Sequence, residues 1–326
     1  MNSILKKRFI LAIKIVIVVA IFGWIGWELR KSWDKMNQVQ WKPDYYWLLL
    51  SAFFYSVSYV PSVFFWRHSM RLLGQHPGWY ETFRAYYIGH LGKYIPGKAM
   101  VVVLRAGLLN QERTRLSIAA ATVVLETLNM MAVGGFISAL IVLIWFRDLP
   151  GSHYLTFIAL GVMLFVGFPV FPPVFRRLTK RIGVARSDPD IDKKLQKIRI
   201  QTVFLGWCLM SLDWLLLGLS LWASIRGIGI DTGSLPEHLP RFVLAATLSV
   251  VAGFVLMIPG GLGVREIVIT QITIPLLIIL LMRSDPGLAE PDAAKLAALY
   301  ALVVAGVQRG ISILSELAVS AILCRK

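Results

Sequence analysis

Long apolar runs most restrict how this chain can fold. Each reaches the roughly 20 residues that an α-helix needs to cross the hydrocarbon core of a bilayer. The runs lie at residues 9–29, 45–66, 116–146, 154–175, 200–225 and 296–323. Hydrophobic residues make up 57% of the sequence, and the sequence lacks the short alternating segments of a membrane β-barrel. The sequence therefore predicts an all-α integral membrane protein, a polytopic helical bundle.

Two Pro-Gly sequences interrupt the remaining apolar regions, Pro96-Gly97 within 79–110 and Pro259-Gly260 within 242–282. Proline stops a helix, and the freed backbone groups must be satisfied by protein or by a water-lined cavity. Paired interrupted segments in the two halves of a membrane protein indicate a transport site. We expect the helix breaks to be formed by Pro96, Gly97, Pro259, Gly260, Gly261 and Gly263.

Lysine and arginine are distributed unevenly between the two sets of loops. One set, which includes both termini, holds 22 of them, and the alternate set holds 9. The positive-inside rule places the first set, with both termini, in the cytoplasm. The spans then connect only if each interrupted region enters and leaves the membrane on the same side. The chain is thus predicted to be an inverted repeat with two re-entrant elements, the first repeat at roughly 45–146 and the second at roughly 200–323.

Two alternatives stay open for the interrupted regions. Residues 79–110 could form an amphipathic helix on the cytoplasmic surface, with Lys93 and Lys98 at the head groups. Residues 242–258 and 266–282 are each short for a span, yet they could cross the membrane as two thin helices. The sequence does not separate these arrangements from re-entrant hairpins.

The basic residues that give the net charge of +16 lie mainly in loops. No RNA- or DNA-binding motif accompanies them, and membrane topology with attraction to anionic lipid head groups explains the excess. Cys208 and Cys324 match neither a metal site nor a disulfide pattern. We expect no metal, no cofactor and no nucleic-acid partner. The run from Phe9 lacks a small-residue cleavage site, which predicts a retained span rather than a signal peptide.

Ionisable side chains inside predicted spans indicate a functional site, because each costs several kcal/mol unless it faces a cavity or a partner. These side chains are Glu126, Asp213, Arg309 and Glu316. The competing interpretation is that they pair across helices, with Arg309 bound to Glu126 or Asp213. A carboxylate in such a cavity could neutralise a cationic head group or carry a proton.

Arg105 and Arg265 lie close to the breaks, where free backbone N–H groups and the helix dipole favour an anion. The arginine fork also binds phosphate in a bidentate manner. The predicted substrate-binding set is Lys93, Lys98, Arg105, Glu126, Asp213, Arg265, Glu266, Arg309 and Glu316. Within it, the two lysines with Arg105 and Arg265 hold a phosphate, and the carboxylates tune the head-group charge. His90 is interpreted as an interfacial histidine rather than as a proton carrier.

The string from Gly89 to Lys98, with Arg105 downstream, resembles the first signature of the lysylphosphatidylglycerol synthase transmembrane family. The string from Pro259 to Glu266 resembles the second. This family includes the flippase half of the bacterial multiple peptide resistance factor, so the resemblance implies an inner-membrane protein that moves polar lipids between leaflets. Because the sequence stops soon after its last span, we expect the soluble aminoacyl-transferase domain of that factor to be absent, and the cargo need not be an aminoacylated lipid.

We therefore expect a single lipid-translocase domain over residues 1–326, in the bacterial cytoplasmic membrane. It would flip a polar, anionic or phosphate-bearing lipid through a central cavity, without acting as an enzyme. Membrane lipids are the expected partners, and a homo-oligomer is left open. The alternatives are a scaffold that docks through the basic loop 176–199, or an embedded enzyme acting on a lipid-linked substrate. The enzyme is disfavoured because the sequence shows no metal-ligand cluster, nucleophile–base pair or nucleotide-binding loop.

Overall fold

The computed structural model describes residues 43–95, 99–110, 112–145, 167–181 and 191–325, with the isolated positions 157, 161 and 165. The predicted span at 9–29, the first break at Pro96 and Gly97, Lys98 and most of the predicted span at 154–175 lie outside the described residues. Within the described ranges every regular element is a helix and no strand occurs. The predicted all-α class is confirmed.

Eleven α-helices follow one another along the described part of the chain. They are α1 Tyr45–Val57, α2 Val60–Leu72, α3 Trp79–His90, α4 Ala99–Gly107, α5 Leu116–Trp145, α6 Pro172–Arg181, α7 Ile191–Leu195, α8 Ile200–Gly227, α9 Leu235–Val255, α10 Val264–Ser284 and α11 Glu290–Cys324. Short 3-10 turns occupy Leu91–Tyr94, Phe168–Val170 and Pro259–Gly261. Six described stretches are long and apolar enough to cross a membrane, which confirms a polytopic membrane protein.

The predicted span at 45–66 consists of two helices, α1 and α2, separated by a short break. Pro61 lies in the first turn of α2, and a proline there has no N–H and clashes with the carbonyl four residues earlier, at Val57. Helix α1 therefore ends at Val57, and α2 continues to Leu72, six residues beyond the predicted end. The break leaves Tyr55 and Ser62 buried on the inner side of the bundle.

Helix α8 lies at the centre of the bundle and packs against α1, α2, α5, α9 and α11. Lipid supplies no hydrophobic force between helices, so membrane helices associate through close van der Waals packing. Small residues allow the helix backbones to approach closely enough for this packing. A Cβ atom on Gly134 would lie 2.7 Å from the ring of Trp214, and one on Gly218 would lie 2.6 Å from Val243. The indole N–H of Trp214 donates to the Met130 carbonyl at 3.0 Å, which fixes α8 against α5.

The first hairpin consists of α3, the turn Leu91–Tyr94 and α4. The backbone N–H of Asn110, just after α4, contacts the carboxylate of Glu81 in the first turn of α3. The hairpin therefore returns to the end of the bundle from which it started. Tyr80 donates to the Leu323 carbonyl at 2.9 Å, which places this end beside the C-terminus of α11. With 12 residues, α3 is about 18 Å long, well short of the roughly 30 Å of a bilayer core.

The second hairpin consists of α9, the turn Pro259–Gly261 and α10, and it extends beyond the predicted 242–282 at its N-terminal end. A Cβ atom on Gly233 would lie 3.7 Å from the guanidinium of Arg283, so this hairpin also returns to its starting end. That end lies beside the N-terminus of α11. Helices α9 and α10 have 21 residues each, about 31 Å. Their length alone is therefore compatible with both predicted arrangements.

Candidate functional site

The tips of the two hairpins meet partway along α11. Gly260, in the second tip, has a φ of +59°, and a Cβ atom there would lie 2.8 Å from the ring of Tyr94 in the first tip. Arg309 in α11 donates from Nη1 to the Gly260 carbonyl at 2.9 Å. Arg309 lies 19 residues after Glu290, about 28 Å along the helix. Two interrupted segments that start at opposite ends of α11 therefore converge inside the bundle.

Glu316, two turns beyond Arg309 on α11, is surrounded by donors. Tyr55 Oη and Lys93 Nζ both contact its Oε1, and Tyr94 Oη donates to Oε2 at 3.0 Å. The side chain of Glu316 is only 4% exposed. A buried carboxylate requires such compensation, so these donors hold Glu316 as a hydrogen-bonded carboxylate between α1 and the first tip.

Arg105 and Glu126 form a second buried ion pair, between α4 and α5. Arg105 Nη1 lies 2.6 Å from Glu126 Oε2, and Tyr86 donates to the other carboxylate oxygen at 2.8 Å. The guanidinium also lies 3.6 Å above the Tyr86 ring. Both charged side chains are at most 3% exposed. Removing one member would leave an uncompensated buried charge, so this pair fixes the first hairpin to α5.

His90 connects these two clusters. Its Nδ1 lies 3.1 Å from Arg105 Nη2, and its Nε2 lies 3.1 Å from Lys93 Nζ. The imidazole ring packs against Tyr59, with ring centroids 4.5 Å apart. The sequence favoured an interfacial histidine, but the ring lies inside the polar network because the last turn of α3 directs it toward α4.

The second tip carries a looser set of charges. Arg309 Nε lies 3.4 Å from Glu266 Oε1, outside hydrogen-bonding geometry. Arg309 Nη2 and Glu266 Oε2 are buried and have no hydrogen-bond partner among the described residues. Nearly all buried polar atoms in proteins have a partner. The orphaned atoms therefore indicate space for water or for a polar ligand at this tip.

Arg265 follows the second break directly, in the first turn of α10. Within the described ranges it makes no hydrogen bond and has no carboxylate within 4.0 Å; Glu266 and the tyrosines at 55 and 59 act on it only at longer range. The side chain is partly exposed and lines a small internal cavity with Ser249 and Gln308. Among the described cations at the tips, it is the one that no described carboxylate approaches within 4.0 Å.

Asp213 lies in the middle of α8, close enough to Glu126 and Tyr86 for their charges to interact. Ser62 contacts its Oδ2, and its Oδ1 is buried without a partner among the described residues. The structure does not contain the Arg309 pair with Glu126 or Asp213 that the competing interpretation named, although the charges pair across helices in other combinations. Glu126 is taken by Arg105, and Arg309 faces Glu266, because the hairpin tips bring nearer partners between the long helices.

The structure brings most of the predicted substrate-binding residues to one region of the bundle. These are Lys93, Arg105, Glu126, Arg265, Glu266, Arg309 and Glu316. Asp213 borders this region beside Glu126 and Tyr86, and Lys98 lies outside the described residues. Their role in binding a substrate stays a prediction.

Sequence reasoning missed the tyrosines that line this region. Tyr55, Tyr86 and Tyr94 each donate to a buried carboxylate. A tyrosine in the middle of an apolar segment is a signal that could have found them, because its buried hydroxyl needs a partner. Tyr55 and Tyr59 are four residues apart and hydrogen-bond at 3.1 Å.

The arrangement is suited to binding an anion. Arg265 at the start of α10 and the nearby Arg309 of α11 retain donors without a partner among the described residues, and the dipole of α10 also favours negative charge. Within the described part of the chain, no group of three or more His, Cys, Asp or Glu side chains could hold a metal ion.

Fold and site together define a polytopic α-helical membrane protein with two interrupted hairpins that meet at buried charges. Residues 11–289 match the model of the family described as the lysylphosphatidylglycerol synthase TM region. The chain belongs to this family, as the two Pro-Gly signatures predicted. Comparison with curated proteins finds no match. The chain is therefore a multi-pass membrane protein with a role related to membrane lipids.

Proposed function

We propose that this protein translocates an anionic, phosphate-bearing lipid between the leaflets of the bacterial cytoplasmic membrane. The observation that carries the proposal is the guanidinium of Arg265, which has no partner at short range within the described ranges and lies beside the meeting point of the two tips. The proposal is of a transporter that leaves its lipid chemically unchanged. Membrane lipids are its partners.

The head-group phosphate would bind at the start of α10. Among the described residues, the guanidinium of Arg265 and Nη2 of Arg309 have no hydrogen-bond partner. The planar guanidinium group matches phosphate in a bidentate manner. The first backbone N–H groups of α10 add the favourable helix dipole. The acyl chains stay in the surrounding lipid, because only the polar head needs shelter from hydrocarbon.

The paired cations of the first hairpin play a different part in this proposal. Lys93 and Arg105 already neutralise Glu316 and Glu126, so a phosphate would have to displace a buried carboxylate to reach them. We therefore assign first contact with the phosphate to Arg265 and Arg309. Arrival of the phosphate would weaken the loose pair between Arg309 and Glu266.

Alternating access follows from the opposed directions of the hairpins. Both act as re-entrant elements in this proposal, and the end of the bundle beside Leu323 faces the cytoplasm, as the lysine and arginine distribution predicts. Separation of Tyr94 from Gly260 would open the meeting point toward one side. The contact between Tyr94 and Gly260 buries little surface, because glycine has no side chain to pack against the tyrosine ring. Inverted-repeat carriers use such movements around a fixed central site.

The test is a leaflet-exposure assay on purified protein in liposomes. It follows head-group-labelled phosphatidylglycerol and, as a lipid without phosphate, labelled monoglucosyl diacylglycerol. The variant is Arg265→Ala, and its matched control is Arg283→Ala, an exposed arginine near the other end of the same helix. Hydrogen bonds to a charged group contribute about 1.5–3 kcal/mol each, so we expect Arg265→Ala to slow phosphatidylglycerol at least about tenfold.

The control variant should move phosphatidylglycerol at the wild-type rate, and the glucolipid should move slowly in all three proteins. Equal rates for wild type and folded Arg265→Ala would remove the assigned phosphate site. No movement of either lipid by folded wild-type protein would instead favour a scaffold in a lipid pathway.

A further inference from the structure

A second cavity lies at the opposite end of the first hairpin from its tip. Its volume is about 370 Å³, near the lower end for pockets that bind small molecules. The end of α2, the loop from α4 to α5 and the segment of α7 with the turn after it form its wall. The contacts of Asn110 with Glu81 and of Tyr80 with Leu323 mark this end of the bundle. The cavity therefore lies at the base of the first hairpin, away from the site at the tips.

Basic side chains dominate the wall of this cavity. Two lie in the loop before α5 and two in or just after α7, and the carboxylate of Glu112 accompanies them. The four are Arg113, Arg115, Lys194 and Lys197. Within the described ranges, neither Arg113 nor Lys197 has a carboxylate within 4.0 Å. Positive charges from two separate segments therefore border one space, which attracts an anion.

The fold holds both basic segments in place. The backbone N–H of Arg115 donates to Gln75 Oε1 at 2.7 Å, and Gln75 is itself buried just beyond the end of α2. On the other side, Leu195 and Ile198 are buried in the main hydrophobic core, which fixes the turn that carries the lysines. The wall is therefore formed before a ligand arrives, and this lowers the ordering cost of binding.

Thr114 provides an independent indication that the cavity holds a polar ligand. It belongs to the wall, its side chain is only 1% exposed, and its Oγ1 has no hydrogen-bond partner among the described residues. Nearly all buried polar atoms in proteins have a partner. Helix α5 begins two residues later, at Leu116, and the start of a helix favours negative charge. An unpartnered hydroxyl, a helix start and four cations thus border the same cavity.

We propose that this cavity binds a phosphate group and is separate from the transport site at the tips. The two arginines offer planar forks that match phosphate oxygens, and the two lysines add point charges. The phosphate belongs either to a lipid head group, which basic pockets at the ends of membrane helices bind, or to a soluble phosphorylated molecule. The occupant ties the base of the first hairpin to the segment that leads into α8. The inference does not depend on lipid movement.

The first test measures thermal unfolding of the full chain in a non-ionic detergent, while inorganic phosphate replaces chloride at constant ionic strength. A ligand that binds the folded state raises the Tm as its concentration rises. The variant Arg113→Ala/Lys197→Ala is compared with Lys193→Ala/Arg199→Ala, which removes two exposed cations outside the cavity wall. The parent and both pairs carry Arg265→Ala, so the assigned transport site is absent from all three proteins.

Without phosphate, the three proteins should melt alike, which shows that each one is folded. With phosphate, the parent and the control pair should gain Tm equally. The cavity pair should bind phosphate at least about tenfold more weakly, because it loses two charged contacts. No gain for the parent, or equal gains for the cavity pair and the control pair, would overturn the proposal.

Thr114→Val tests the unpartnered hydroxyl while nearly preserving the shape of the side chain. Without phosphate, this variant should melt at or above the parent, because a buried hydroxyl without a partner costs free energy. Its phosphate affinity should nevertheless fall about tenfold, since a hydrogen bond to a charged group is lost. The opposite signs distinguish a ligand contact from a role in packing. An affinity equal to that of the parent would overturn the contact with Thr114.

Two further ligands identify the source of the phosphate. Phosphatidylglycerol in the detergent micelles represents a lipid head group, and glycerol 3-phosphate represents a soluble molecule with similar chemistry. Tighter binding of phosphatidylglycerol that is lost in the cavity pair assigns the site to lipid, and the reverse preference assigns it to a soluble ligand. Either result supports a phosphate site. Failure of all three ligands to stabilise the parent would overturn the site and leave translocation to its own leaflet-exposure assay.

Discussion

Where the two tips meet, the described cations of the first hairpin, Lys93 and Arg105, are matched with carboxylates, whereas those at the second tip, Arg265 and Arg309 of α11, are only partly matched. In the first, Arg105 pairs with Glu126 at 2.6 Å and Lys93 contacts Glu316. In the second, Arg265 has no carboxylate within 4.0 Å in the described part of the chain, and Arg309 approaches Glu266 only at 3.4 Å. The two interrupted segments thus meet at one place with different electrostatics.

The difference indicates a division of roles. Buried, well-paired charges hold helices in register, and loss of one partner is costly. Unpaired donors beside a helix start are free to bind an anion. The short first hairpin, with helices of 12 and 9 residues, would therefore serve mainly as structure. The longer second hairpin would bind the phosphate.

The largest expected effect comes from the best-paired cation. Arg105→Ala leaves the Glu126 carboxylate buried and unpaired, which should lower the free energy of unfolding by about 3–5 kcal/mol. Thermal unfolding in detergent measures it, with the exposed Arg113→Ala as control. The double variant Arg105→Ala/Glu126→Ala should be more stable than the sum of the two single changes predicts. A single variant that melts like the control would show that the pair does not hold the hairpin.

Gly260→Ala should have the next largest effect. The left-handed backbone at Gly260 costs a non-glycine residue about 1–2 kcal/mol, and the added methyl group meets the Tyr94 ring at 2.8 Å, so we expect a loss of about 2–4 kcal/mol. Gly107→Ala is the control, because no atom lies within 4 Å of its added Cβ. Equal melting temperatures for the two variants would argue against contact between the tips.

Tyr94→Phe removes one of the three hydrogen bonds to Glu316 while keeping the ring against Gly260. Because two donors remain, we expect about 1.5 kcal/mol of destabilisation, the lower end for a bond to a charged group. Tyr46→Phe, at an exposed tyrosine, should melt as wild type. A neutral result for Tyr94→Phe would place the hydroxyl outside the Glu316 cluster.

Arg265→Ala should have the smallest effect on stability, less than about 1 kcal/mol, because no hydrogen bond or short ion pair within the described ranges is broken. Thermal unfolding beside Arg283→Ala measures this. The same variant is expected to lose lipid movement, so stability and transport should separate here. Destabilisation as large as that of Arg105→Ala would make Arg265 structural and remove the contrast between the hairpins.

The helical class and most boundaries of the described spans could be predicted from sequence, because apolar length and proline chemistry act locally. The predicted start of α5 at residue 116 and that of α8 at residue 200 agree with the structure. The division of 45–72 was missed, although Pro61 is a local signal for it. The N-terminal end of the second hairpin was also missed, because α9 begins at Leu235, before the predicted residue 242, and continues through Pro240.

The sequence by itself determined a membrane protein of this family, the position of its second break and which ionisable residues lie among apolar ones. Only the tertiary structure decided which charges neutralise each other and which stay available. Lys93 and Glu316 are 223 positions apart. No local sequence pattern predicts which cation will pair with a carboxylate that side chains from several helices can reach. Packing of the two tips against α11 selects the partners, because buried charges pair with whatever donor the fold brings within hydrogen-bond distance.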